Sequence, residues 1–397
     1  MTATPALSDT ATYTPRTCSV PSMSQVITRH RLRSIETLLL ALILLGTGFQ
    51  NLVGAQVIIH GGGKVYDGLG IPVRPYSTFP SLIKCPDGSL LCYDRRSTDS
   101  GRTWNRSGKF GFPLGDATHP YRGPTTTLSD GTILVFGRYT QPHERRPDVF
   151  VTELFRSGDN FTSYGGPIRA QFHVPHVVPG TDEYGQPANG PFLEQSIVEL
   201  SNGDLLATMW GWLTQDRTPV DYPDRWARWQ LKKSRALLVK SQDRGLNWHY
   251  VSTIASDPQV GPEGFRLPTL GLLPDGQLLS VMRNGDGGQP LWSTRSTDGG
   301  HTWEPLDRID VDAGTVSLLV LADGTVLIAF GRPELHTLGS SDGGRTWDIE
   351  HRGDLGTQST AAFTGRVAMI ETSPGQVLAV YNDVTELTAR LLRVTRQ

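Results

Sequence analysis

Short runs of apolar and β-branched residues recur along this 397-residue chain, each broken by a glycine turn. The turns are Asp87-Gly88, Asp130-Gly131, Asn202-Gly203, Asp275-Gly276, Asp323-Gly324 and Pro374-Gly375. Asp-Gly or Asn-Gly between β-rich runs signals a hairpin, because its tight turn needs residues that accept positive φ. The flanks predict strand pairs at 196–200 with 204–209, 270–273 with 277–282, and 316–321 with 325–330. A third strand follows at 236–240 and at 290–295, and a fourth leaves the turn beyond it.

That turn carries an eight-residue signature, Ser-x-Asp-x-Gly-x-x-Trp, at 97–104, 241–248, 296–303 and 340–347. A fifth copy at 157–164 keeps Ser and Asp but has Phe161 for Gly and Tyr164 for Trp. Each residue type has a mechanical job: Asp bonds backbone N–H groups a few residues on. Gly takes positive φ without steric cost, and Trp is a large plate for packing between units. These boxes organise the fold rather than the chemistry. Four strands per unit, with units of about 40–50 residues, describe a β-propeller blade. Six hairpins then predict an all-β, six-bladed β-propeller with Asp-box turns. The last unit, 365–397, has room for three strands, so the β-rich run at 56–60 is expected to supply the fourth and close the ring. Between Leu90 and Ser97 the first unit leaves no space for a separate third strand, which predicts a deletion there.

The front of the chain reads differently. Arg29, Arg31 and Arg33 precede an apolar run at 38–46, and Val53-Gly54-Ala55 ends it with small residues. That order matches a secretory signal cleaved near Ala55. The run falls short of the roughly 20 residues a spanning helix needs, so no stable membrane span is expected once the signal is removed. The expected organisation is a leader at 1–55, with translation starting at Met1 or Met23, and a propeller at 56–397, secreted or periplasmic. No Cys follows the apolar run to carry a lipid. Cys85 and Cys92 lie on opposite arms of the first hairpin, and a turn centred on 87–88 would put them on one face. A cross-strand disulfide and two buried thiols are the two readings.

Composition narrows the function. A net charge of -2 with no basic stripe argues against nucleic acid as a partner. No Cys/His spacing of zinc type occurs; His173-Val174-Pro175-His176 offers a pair with no third ligand, so neither metal nor cofactor is expected. In a propeller the face opposite the boxes is lined by the starts of the innermost strands and the ends of the second strands. Those positions hold Tyr121, Arg122, Glu194, Gln195, Arg266 and Arg366, then Asp94, Arg138, Tyr139, Trp210, Arg283, Asn284, Arg332, Tyr381 and Asp383. Several guanidiniums at one mouth suit a carboxylate-bearing ligand, which Arg grips bidentately. The insertion at 211–235 adds Trp212, Tyr222, Trp226 and Trp229 beside Trp210, either as plates for sugar rings or as a satellite core.

The intact boxes and six hairpins resemble the sialidase (neuraminidase) superfamily of BNR/Asp-box propellers over essentially all the chain after Ala55. The resemblance implies a glycoside hydrolase acting on a glycan, with a Tyr nucleophile, an activating Glu, an acid/base Asp and three Arg on the substrate carboxylate. The segment 194–200 looks like the one that carries the activating Glu, so Glu194 takes that role. Arg266, in Arg266-Leu267-Pro268, matches an Arg-x-Pro start of an inner strand. The first-unit Arg-x-Pro is instead Thr78-Phe79-Pro80, Trp210 stands where the next family Arg is expected, and Gly365-Arg366 replaces the Tyr that begins the last inner strand. Tyr381 is the nearby substitute for the nucleophile, and Asp94 or Asp116 for the acid/base. Arg122, Arg138, Trp210, Arg266 and Arg283 are the candidate substrate-binding residues. An exo-acting hydrolase for a terminal, acidic sugar is the first functional expectation, and a non-catalytic propeller that binds glycan or protein is the second.

Overall fold

A computed structural model describes residues 55–66, 80–93, 95–106, 122–137, 139–178, 180–181, 187–188, 190–221, 232–285, 288–331, 334–357, 366–383 and 386–396. The leader before Ala55, Asp94, Asp116, Tyr121, Arg138, Arg332 and the aromatics at 222–231 lie outside the described residues, as does the side chain of Arg122. Every regular element described is a β-strand, and none of them is a helix that could cross a membrane.

The strands form repeated antiparallel sets of four. The first set is Leu82–Lys84, Leu90–Cys92, Arg95–Ser97 and Asn105–Arg106. This corrects the expected deletion: a third strand exists, joined to the second by a two-residue turn in which Cys92 pairs with Arg95 and Tyr93 takes φ +53°. The second and third sets run Arg122–Thr127, Ile133–Gly137, Val149–Ser157, Gly165–His173 and Phe192–Glu199, Leu205–Leu213, Arg235–Ser241, Asn247–Ala255. Their outer strands pair in parallel, Gln171 with Asn247 through His173 with His249, which fuses them into one ten-stranded sheet. The fourth set is Gly271–Leu272, Leu278–Arg283, Pro290–Ser296 and Asp307–Asp312; the fifth is Val316–Val320, Val326–Gly331, Glu334–Ser340 and Gly353–Thr357. Val367–Ser373, Gln376–Asp383 and Glu386–Arg396 make the last, and Ala55–Tyr66 pairs antiparallel with Glu386–Arg396 as its outermost strand.

The second strand of most sets is buried on both faces. Leu205–Leu213, Leu278–Arg283 and Val326–Gly331 have no exposed position, which is why they read as continuous rather than alternating apolar runs. Each fully buried Leu, Ile or Val there is worth about 1.5–3 kcal/mol of transfer free energy.

Antiparallel order sends the hairpin turns and the boxes to one end of the sheets. At the first box, Ser97 Oγ donates to Asp99 Oδ1 at 2.8 Å and accepts from the Gly101 N–H at 2.8 Å. Asp99 in turn accepts from the Thr103 N–H at 2.9 Å and the Thr103 hydroxyl at 2.6 Å. Partial burial pushes the Asp99 carboxyl up, but the bonds from Thr103 and Ser97 outweigh it and hold it down at about 2. Asp159, Asp243, Asp298 and Asp342 rebuild the same turn. Gly is needed here for contact as well as for φ. A Cβ on Gly245 would meet Phe136, one on Gly300 Leu238 and one on Gly344 Leu279, each on the preceding set, and one on Gly101 would meet Leu378 of the last set. The fifth copy departs instructively: Phe161 takes φ +62° in the same turn, and its ring fills the gap with Ile83, Leu91 and Ile133 while stacking on Tyr164. Arg96, Arg156 and Arg295, each directly before a box, donate to the carbonyls of Asn160, Arg244 and Gly343 in the next set's box.

The cysteine and histidine pairs can be placed as well. Cys85 and Cys92 are buried and form no disulfide, and they lie on opposite faces rather than the one face expected: Cys85 packs with Ile83 and Leu91, Cys92 with Leu82 and Leu90. His173 stacks on His249, ring centroids 4.6 Å apart, and no group of three metal-ligating side chains occurs among the described residues.

Candidate functional site

The end of the sheets opposite the boxes collects the starts of first strands and the ends of second strands. A cavity of about 750 Å³ runs between the six first strands, with Pro80, Gly123, Glu194, Leu267, Val316 and Arg366 at that end. Glu194 is 3% exposed, so its carboxylate needs partners to remain in a dry environment. Trp210 Nε1 donates to Glu194 Oε1 at 2.7 Å, and Arg366 Nη1 lies 3.7 Å from Oε2. The Trp210 contact follows from register, because Phe192 is opposite Trp210 on the neighbouring strand and Glu194 is two residues on, over the same face.

Trp210 joins this carboxylate to a second charged group. Phe192 stacks on its indole at 4.2 Å and 14°, and Arg266 Cζ lies over the ring 4.8 Å from the centroid. Arg266 Nη1 pairs with Glu263 Oε2 at 3.2 Å, and Arg283 Nε lies 3.0 Å from the other oxygen, Oε1. Arg283 also donates to the Gly314 carbonyl. The backbones of Arg266 and Arg283 exchange N–H···O bonds of 3.0 and 3.1 Å, which fixes both Cα positions. All three side chains are buried. Both guanidiniums share the one Glu263 carboxylate, and Arg266 Nη2 is buried with no hydrogen-bond partner. The side-chain amide oxygen of Asn284, next to Arg283, is likewise buried with no hydrogen-bond partner.

Of the residues picked out from sequence, Trp210 thus touches both Glu194 and Arg266, and Arg283 is linked to Arg266 by Glu263. Tyr381 sits elsewhere in its sheet: its hydroxyl donates to the Leu355 carbonyl at 2.5 Å, and its ring packs among Leu335, Leu355 and Val367. Trp210 and Trp212 belong to a small core with Phe192 and Leu267, which answers for them the choice between sugar plate and satellite core. Glu263 escaped the sequence reading. Its only signal was an acid three residues before Arg266, in a segment without periodicity.

The profile of the BNR repeat-like domain matches residues 186–359, which span the third to fifth sets and most of this cluster. Residues 186–359 therefore carry a BNR repeat-like domain. Among solved structures the chain is similar to a protein of unknown function from Dyadobacter fermentans DSM 18053, with TM-score 0.58 and 19% identity over 86% of this chain and 100% of that one. It is similar to the alpha-L-arabinanase of Penicillium chrysogenum complexed with arabinobiose, with TM-score 0.56 and 15% identity over 85% and 98% of the two chains. The NanB sialidase of Streptococcus pneumoniae gives TM-score 0.51 and 11% identity over 84% and 70%. At these identities the likeness is one of fold, all-β and without helices. Comparison with curated protein sequences returns no match.

Proposed function

We propose that this BNR-repeat protein is a glycoside hydrolase acting from the chain end on a terminal acidic sugar, with Glu194 as its working carboxylate. The observation that carries the reading is the Glu194 environment: a buried carboxylate at the end of a cavity, held by an indole N–H and facing Arg366. Beside it stands an arginine pair on a shared carboxylate, with an unsatisfied Arg266 N–H. Buried polar groups without partners are costly, and a ligand carboxylate would satisfy the open donor. The arabinanase and sialidase among the structural neighbours act on glycans by name, which fits a carbohydrate substrate. Glu194 serves as acid/base or as activator of a nucleophile. Asp116 is the candidate proton donor, Arg122, Arg138, Arg266 and Arg283 are those for carboxylate recognition, and Tyr381 would act as nucleophile only on giving up its bond to the Leu355 carbonyl.

The architecture that would serve this chemistry is a six-bladed ring closed by Ala55–Tyr66. Three observations support it: the cavity lined by all six first strands, the bond from Lys84 Nζ to the Glu371 carbonyl, and the contact of Gly101 with Leu378. The last two join the first set to the final one, in the same sense as every other junction. The arginine-flanked apolar run before Ala55 supports export by a cleaved signal.

The test is a screen of the purified chain against oligosaccharides ending in acidic and neutral sugars. Release of a terminal acidic monosaccharide is the expected result. Saturable binding without product would reassign the site to recognition alone, and release of neutral sugars only would remove the acidic-substrate proposal.

A further inference from the structure

Arg266 touches three groups that have nothing to do with a ligand. Its Nε donates to Ser234 Oγ at 3.2 Å, its Nη1 pairs with Glu263, and its guanidinium plane covers the Trp210 indole. Phe192 stacks on that indole too, and two groups of this size at 4.2 and 4.8 Å must occupy opposite faces. Trp212 meets its edge at 73°, and the ring is fully buried. Trp210 is thus clamped between an aromatic ring and a cation. Its one polar atom spends its proton on Glu194.

We propose that Arg266 is a positioning residue for Glu194, acting through Trp210, with Glu263 and Ser234 setting the angle of the clamp. The guanidinium has two functional parts: the face holds the indole, while the Nη2 edge is the donor left for a ligand. Arg283 shares Glu263 but is directed at Gly314, so it contributes charge without bearing on the clamp described. This inference deepens the hydrolase reading and rests on it only where turnover is measured.

The two arginines allow a matched test, because Glu263 stays paired one-to-one whichever of them is removed. Arg266→Met and Arg283→Met are compared in the full chain by the indole N–H resonances in ¹H–¹⁵N spectra. The Trp210 signal is assigned by its loss in Trp210→Phe or, should that variant not fold, by its shift in Glu194→Gln. Arg266→Met should move the Trp210 resonance, and Arg283→Met should leave it in place. With a sugar the wild type cleaves, Arg266→Met should lose roughly 100-fold in kcat, the scale of a misplaced catalytic group. Arg283→Met should raise KM with kcat little changed. An unmoved Trp210 resonance in Arg266→Met, or an effect on KM alone, would overturn the proposal. Should the wild type cleave no sugar, the hydrolase reading fails by itself and the resonance decides this one.

Discussion

At the box end, one set of bonds recurs around Asp99, Asp159, Asp243, Asp298 and Asp342, and it survives even where Phe161 replaces Gly. At the other end, Glu194, Glu263, Arg266, Arg283 and Arg366 form a buried charged group with no repeat from sheet to sheet. Within each box, Ser, Asp, Thr and backbone donors close on one another. The site end leaves an Arg266 donor open inside a shared ion cluster. Repetition marks what holds the sheets together, and the unrepeated cluster is the proposed ligand site.

The largest expected effect breaks the site end. Glu263→Gln removes the carboxylate that two buried guanidiniums share and should cost about 3–5 kcal/mol by denaturant unfolding. Replacing Glu263, Arg266 and Arg283 together by Met sharpens the contrast, since exchanging a buried ion cluster for apolar groups is often neutral or stabilising by about 1–4 kcal/mol. That triple variant should keep its melting point or raise it while losing all ligand chemistry. A large loss of stability would mean the charges serve the fold.

Next comes the box end. A Cβ at Gly300 would lie 2.1 Å from Leu238 Cδ2, at a residue with φ +90°. Gly300→Ala should therefore cost about 2–4 kcal/mol through overpacking and backbone strain. Its folded fraction should retain wild-type kcat, because the change is remote from Glu194. A kcat loss matching that of a site variant would blur the division between the two ends.

The smallest effect is electrostatic. Asp99 has an ordinary value of 3.8 and is held at about 2 in the fold. A depressed carboxyl adds stability that is fully present above about pH 4 and is lost as pH falls towards 2. Asp159, Asp243, Asp298 and Asp342 are lowered too, so acid unfolding should steepen in this window. Asp99→Asn should make the stability-against-pH curve shallower there, and an unchanged slope would show that the box carboxylates do not govern acid unfolding.

The hairpins and boxes could be read from sequence because turn chemistry is local: Gly at positive φ and Asp on nearby N–H groups require no knowledge of neighbours. The meeting of Glu194, Trp210 and Arg266 was legible at second hand, since antiparallel order brings first-strand starts and second-strand ends together. The third strand of the first set was hidden by Tyr93, which makes a tight turn without glycine. The two cysteines show how narrow the margin is. Leu82 faces Cys92, one residue off the register expected from a turn centred on 87–88, and a one-residue slip moves a side chain to the other face. Glu263 had no local signature, because its role exists only once Arg266 and Arg283 are side by side.

Glu194→Gln tests the central claim most directly, since it removes a single charge and keeps the shape of the side chain. Turnover of the sugar released by the wild type should vanish while the melting temperature shifts by no more than about 2 °C. Full activity in that variant would contradict the assignment of this buried carboxylate as the working group.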